Sequence, residues 1–248
     1  MPPSNLSHKN NKIRIYLGSA LFLASSIAAT FFIAPVVIAC IIFPFSVRYN
    51  IGRAWANIVL KMAEIFCGVR YEVEGLENIK PNEAAIVLSN HQSAWETLAF
   101  RCFLPPQTSL FKQSLLWIPF WGWAMATLKP IAIDRNSKHS ALRKLISRGT
   151  EALQEGLWVI VFPEGTRRSV GEMGEFSAGG AMLAQKSGYP VIPIALNAGL
   201  YWPRYSFLKY PGIIKVKIGP GIESIGRKAA EINKDAEDWV ARALHELS

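Results

Sequence analysis

Ala84-Ala85-Ile86-Val87-Leu88-Ser89-Asn90-His91-Gln92-Ser93-Ala94-Trp95-Glu96 passes from an apolar run through a short polar segment into residues suited to open a helix. The run 84–89, apolar through Leu88, has the length and composition of a strand. Ser93, with Glu96 three residues on, reads as a capping box that starts a helix over 93–103. Strand, loop and helix in immediate succession make one unit of an α/β chain.

The alternation extends outward in both directions. Strands are predicted at 69–73, 108–111, 131–133, 157–162, 191–196 and 213–218, and helices over 115–127, 137–155, 178–187 and 227–247. Within 137–155, Ala141, Leu142, Leu145, Ile146, Ala152 and Leu153 share one stripe, and Gly156 closes it. Ahead of the first strand, Trp55, Ile58, Val59, Met62 and Ile65 recur at helical spacing over 50–66, with Gly68 as the stop. The expected architecture is α/β, a central mixed sheet flanked by helices. No internal repeat and no linker to a second globular domain is found.

The first fifty residues differ. Between Arg14 and Arg48 no residue is charged, and 15–34 alone is long enough to cross a hydrocarbon core of roughly 30 Å. Lys9, Lys12 and Arg14 resemble the basic start of a signal peptide, but the apolar run is too long and lacks a small-x-small exit, so a retained anchor is expected. Basic residues flank both sides, so charge asymmetry does not orient a single crossing. Pro35 divides the run, and a helix bends at an internal proline. Two arrangements follow: helices meeting near Pro35 with both ends on the cytoplasmic side, or one true span. The division is 1–49 as membrane anchor and 50–248 as the folded domain.

Composition narrows the partners. The net charge of +9 calls for an anionic partner such as phosphate groups, an acidic membrane surface or an acidic carrier protein. Nucleic acid is excluded by the lack of zinc-finger spacing, RNP-type aromatics or a basic recognition helix. A mean hydropathy of +0.19 fits one local apolar segment on a water-soluble domain. Cys40, Cys67 and Cys102 are widely spaced in apolar sequence, which argues for reduced thiols on the cytosolic side.

Three strand ends carry chemistry. His91 follows the strand 84–89, and Glu96 stands five residues on, a general base and its orienter in outline. Residues at i and i+5 lie about 140° apart on a regular helix, so the pair can meet only if His91 is in the loop and Glu96 in the first turn. The alternative for Glu96 is a capping role alone. Phe162-Pro163-Glu164-Gly165-Thr166-Arg167-Arg168 closes the strand 157–162 and sets two guanidinium groups and a hydroxyl beside a glycine turn, a cradle suited to phosphate. Ile133-Asp134-Arg135 adds a third arginine after an apolar run. All three lie at carboxyl ends, where open α/β sheets bind ligands. The aromatic runs 117–123 and 201–205 suit either a membrane interface or core packing.

These blocks resemble the lysophosphatidate acyltransferase branch of the glycerolipid acyltransferases, in that family's order, over about residues 90–195. His91-x4-Glu96 takes the place of the family's His-x4-Asp, with one extra methylene on the carboxylate. Phe111-Lys112 through Pro119-x-x-Gly122 to Asp134-Arg135 resembles the second block, although Gln113-Ser114 and Lys129-Pro130 depart from it. Phe162-Pro163-Glu164-Gly165-Thr166-Arg167 matches the third without departure, and Val191-Ile192-Pro193-Ile194 resembles the fourth.

The resemblance implies that 50–248 is an acyltransferase catalytic domain. A fatty acyl group would pass from a thioester, acyl-CoA or acyl-acyl-carrier-protein, to the free hydroxyl of a 1-acyl-glycerol 3-phosphate. His91 would be the base and Glu96 its orienter, with Lys112, Arg135, Glu164, Gly165, Thr166 and Arg167 binding substrate. No cofactor and no metal are expected, since HExxH, CxxC and Walker patterns are absent, and the lack of a G-x-S-x-G elbow disfavours a hydrolase with a covalent acyl-enzyme. Glycerol 3-phosphate or a lyso-aminolipid as acceptor, and a non-catalytic lipid-binding protein, are the rival readings. The implied location is the inner, cytoplasmic membrane with the catalytic domain facing the cytoplasm.

Overall fold

The structure is a computed structural model that describes residues 9–134 and 137–247. Seven strands form one sheet in the order β1-β7-β6-β2-β5-β3-β4. They are β1 (Val69–Glu74), β2 (Ile86–Ser89), β3 (Gln107–Lys112), β4 (Ile131–Ile133), β5 (Trp158–Val161), β6 (Val191–Leu196) and β7 (Gly212–Ile218). Every pairing is parallel except that of β6 with β7, so the sheet is mixed. The central strands β2, β5 and β6 are buried at every position, which explains why they read as unbroken apolar runs.

The pleat divides these strands between two cores. Val87, Trp158, Ile160, Ile192 and Ile194 join one, with α2 (Phe45–Met62) and α3 (Trp95–Phe103). Ile86, Leu88, Val159, Val161 and Ala195 join the other, under α5 (Lys138–Gln154), α6 (Gly179–Ser187) and α7 (Ala229–Glu246). Alternate residues of one strand thus stabilise opposite layers.

Two expectations are corrected, both by proline. The amino-terminal helix α1 (Lys9–Ala39) runs straight through Pro35. The chain turns at Cys40–Ile42 instead, where Pro44 drives Phe43 into extended backbone (φ −89°, ψ 163°) before α2 begins. Arg48 seals that turn by donating to the carbonyls of Ile41 at 2.8 Å and Phe43 at 2.6 Å. The division at residue 49/50 falls within α2. The helix expected over 115–127 is broken into a 3-10 turn, Gln113–Trp117, and the short α4, Trp121–Ala126. Pro119 disfavours helical backbone at Ile118, which is extended (φ −68°, ψ 118°).

α1 and α2 form an antiparallel pair, and α1 lies along the domain. Midway along it Phe22 packs edge-on against Trp202 at 5.0 Å, and near its end Ala34 and Val37 cluster with Ala124 of α4 and with Leu128 just beyond that helix. Its other face is bare: Leu17, Leu21, Ile27, Phe31 and Phe32 are exposed. By length and composition the segment 12–42 could cross a membrane, and only 11% of its most apolar window is buried.

Candidate active site

The carboxyl ends of β2, β5, β3 and β4 stand side by side in the sheet, so their following loops share one edge. β2 delivers His91. Glu96 sits in the first turn of α3, and its Oε1 lies 2.7 Å from His91 Nδ1. The same oxygen accepts the backbone N–H groups of Gln92 at 2.8 Å and Ser93 at 2.7 Å. The oxygen that holds the imidazole therefore also fastens the loop that leads into α3. The expected capping box is only half formed: α3 starts at Trp95 with Ala94 as its N-cap, and Ser93, one residue earlier, gives its N–H to Glu96 and accepts Trp95 N–H at its Oγ at 3.1 Å. With Nδ1 taken, Nε2 is the nitrogen left to receive a proton. The ring lies flat on Phe162, 4.1 Å between centroids, which limits its rotation.

The loop carrying His91 is fastened at every step. Asn90 exchanges two hydrogen bonds with Leu196 at the end of β6, at 2.9 and 3.0 Å. His91 N–H donates to Glu164 Oε1 at 2.9 Å, and its carbonyl accepts Arg168 N–H at 2.7 Å. Gln92 Oε1 accepts Gly199 N–H at 3.0 Å. A histidine held this way is already placed before any substrate binds.

The loop after β5 turns at Gly165, whose positive φ of 70° a side chain would strain. The N–H of Gly165 closes that turn on Phe162 carbonyl oxygen at 3.0 Å. Glu164 points inward, its second oxygen accepting Gly174 N–H at 3.1 Å and facing Arg168 Nε at 3.7 Å. Burial raises the Glu164 carboxyl above its usual range, against the lowering pull of those N–H groups and Arg168. Gly165 and Thr166 are exposed at the tip. Arg167 is half-buried, its guanidinium 5.0 Å over the Tyr205 ring.

Residues 70–197 match the family described as Acyltransferase. The chain is 47% identical, over 223 residues, to a 1-acyl-sn-glycerol-3-phosphate acyltransferase of Pseudomonas aeruginosa, covering 88% of this chain and 84% of that one. The chain belongs to the acyltransferase family. A chloroplastic 1-acyl-sn-glycerol-3-phosphate acyltransferase of Arabidopsis thaliana is 30% identical over 98% of this chain and 69% of its own length. The crystal structure of the 1-acyl-sn-glycerophosphate (LPA) acyltransferase PlsC from Thermotoga maritima superposes with a TM-score of 0.80 at 27% identity, covering 95% of this chain and 97% of that one.

Within this acyltransferase the residues singled out by sequence fall into three groups. His91 and Glu96 meet, and the longer Glu side chain reaches the imidazole without loss of contact. Gly165, Thr166 and Arg167 stand on the neighbouring strand end, and Lys112, exposed at the end of β3, pairs in register with Ile133. Arg135 lies outside the described residues. Glu164 is a brace, its carboxylate occupied by backbone donors from two loops. Sequence reasoning missed Asn90 and Gln92. Their signal was available: two amides beside a wholly apolar strand have no solvent to satisfy them and need internal partners.

Proposed function

We propose that this acyltransferase moves a fatty acyl group from a thioester to the free hydroxyl of 1-acyl-glycerol 3-phosphate, yielding phosphatidic acid. The observation that carries the reading is the His91–Glu96 pair fixed beside the loop that presents Arg167. His91 Nε2 takes the hydroxyl proton as that oxygen attacks the thioester carbonyl. Glu96, bound at Nδ1, holds the tautomer and stabilises the imidazolium that forms. The proton then leaves with the thiolate of the donor, so the base is restored. No cofactor enters this scheme, and the donor is acyl-CoA or acyl-acyl-carrier-protein.

Arg167, Thr166 and Lys112, with Arg135, bind the acceptor phosphate, the fixed guanidinium fork matching its oxygens. Glu164 and Gly165 serve the same site through the backbone they shape. The names of the relatives, each a 1-acylglycerol-phosphate acyltransferase, support this acceptor. The bare face of α1 supports membrane association. The same reading has the hairpin dip into the cytoplasmic leaflet beside the domain, supported by the contacts of α1 with the domain at Phe22 and again at Val37, roughly 22 Å along its axis.

Steady-state kinetics with each substrate varied in turn test the acceptor. Arg167→Ala and Arg167→Lys should raise KM for lysophosphatidate about 10–150-fold, the worth of a hydrogen bond to a charged group, with little change in the thioester KM. Equal impairment toward both substrates, or an uncharged acceptor used as well by the wild type, overturns the assignment.

A further inference from the structure

The loop 201–211, between β6 and β7, has a base and a tip of different character. Its base is packed and closed. Tyr210 N–H donates to the Tyr201 carbonyl at 2.8 Å, Trp202 is buried against Phe22 of α1, and Lys209 N–H donates to Ser19 Oγ at 3.0 Å. Its tip carries Arg204 and Tyr205. Tyr205 is 79% exposed and adopts a positive φ of 56°, a strained conformation for a bulky residue. Burial does not account for a large ring held in that state.

What the ring does contact is the arginine of the neighbouring loop. The Arg167 guanidinium lies 5.0 Å over it, and that of Arg204 lies 6.0 Å from it. Arg204 also donates through Nη1 to the Arg167 carbonyl oxygen. One residue therefore holds the main chain of Arg167 and the next carries its side chain. Among the described residues no carboxylate lies within ion-pair distance of Arg167, so the tip positions the guanidinium without neutralising it.

We infer that Arg204 and Tyr205 are positioning residues for the acceptor-phosphate site, setting the guanidinium of Arg167 before the substrate arrives. This rests on the reading of Arg167 as the phosphate ligand. A flexible arginine must be ordered on binding, whereas one laid on a fixed aromatic face is already placed. Tyr205 holds this strained backbone while its ring faces Arg167.

The test is kinetics on detergent-solubilised full-length enzyme with lysophosphatidate and the acyl thioester varied separately. Tyr205→Asn keeps a residue that tolerates positive φ but removes the ring. It should raise the lysophosphatidate KM about 2–30-fold with kcat and the thioester KM unchanged. Tyr205→Phe keeps the ring and should restore the native KM. Arg204→Met should act in the same direction as Tyr205→Asn. In an Arg167→Ala background both substitutions should add less than twofold, because their effect passes through Arg167. If Arg167→Ala raises the acceptor KM while Tyr205→Asn does not, or if Tyr205→Asn adds its full effect without Arg167, the inference is overturned and the phosphate reading stands. If Arg167→Ala leaves the acceptor KM unchanged, the phosphate reading fails and this inference falls with it.

Discussion

Glu96 Oε1 stands 2.7 Å from His91 Nδ1 and at the same time accepts two backbone N–H groups of the loop that carries that histidine. One oxygen fixes both the imidazole and the peptide bonds that aim it. Glu96 is fully buried, so these bonds form where water does not compete.

His91→Ala should lower kcat by about 10²–10⁴ while leaving the melting transition in place. Glu96→Gln retains an oxygen for the Gln92 and Ser93 N–H groups but no longer offers an anion to the imidazolium. Its turnover should fall by about 10²–10⁴ with stability reduced by about 1 kcal/mol. Because the two act as a unit, the double variant should be no slower than His91→Ala alone. Additive losses measured in this cycle would separate the two residues.

Glu164 links the loop after β2 to the segment at Gly174. Glu164→Gln puts an NH2 group against one of two backbone donors and leaves that donor unpaired, at a cost of about 1–3 kcal/mol. The expected result is a lower melting temperature together with a lower kcat, since His91 loses its tether. A variant of native stability and native turnover would show that the tether is unused.

Lys209 is buried, and desolvation lowers its ammonium to about 8 from the ordinary 10.5. Between these values the unfolded chain binds more protons than the folded one, so this group's contribution to stability rises with pH. Its penalty is complete below about pH 8 and is lost by about pH 10.5. Cys67, its neighbour, has its thiol pushed up by burial. Lys209→Met should therefore melt higher relative to wild type at pH 7 than at pH 10, with the gap shrinking as pH rises. A gap that is constant across that range would mean that Lys209 is charged in the fold.

Much of the sheet was legible because β2, β5 and β6 are almost wholly apolar, and the angular argument names a first-turn Glu96 as the condition for its meeting His91, which the structure meets. Proline placement misled in one direction and was overlooked in another. Pro35 costs α1 one hydrogen bond that continuous packing on α2 and α4 offsets, whereas Pro44 and Pro119 constrain the residues before them and break the chain. The role of Glu164 was illegible for a different reason. Its partners, the N–H groups of His91 and Gly174, lie 73 and 10 residues away and belong to the backbone, which leaves no mark in the choice of side chains. The link between Arg204 and Arg167 is likewise to a main-chain oxygen.

The attachment of α1 along the domain, through Phe22 at its middle and Val37 near its end, has a kinetic consequence. Under the proposed seating of the hairpin in one leaflet, enzyme and lipid acceptor meet by lateral diffusion in two dimensions, whereas the thioester arrives from three. Turnover then follows the mole fraction of lysophosphatidate in the bilayer. Adding inert phospholipid at fixed acceptor slows the reaction by surface dilution, even though the bulk concentration of every reactant is unchanged.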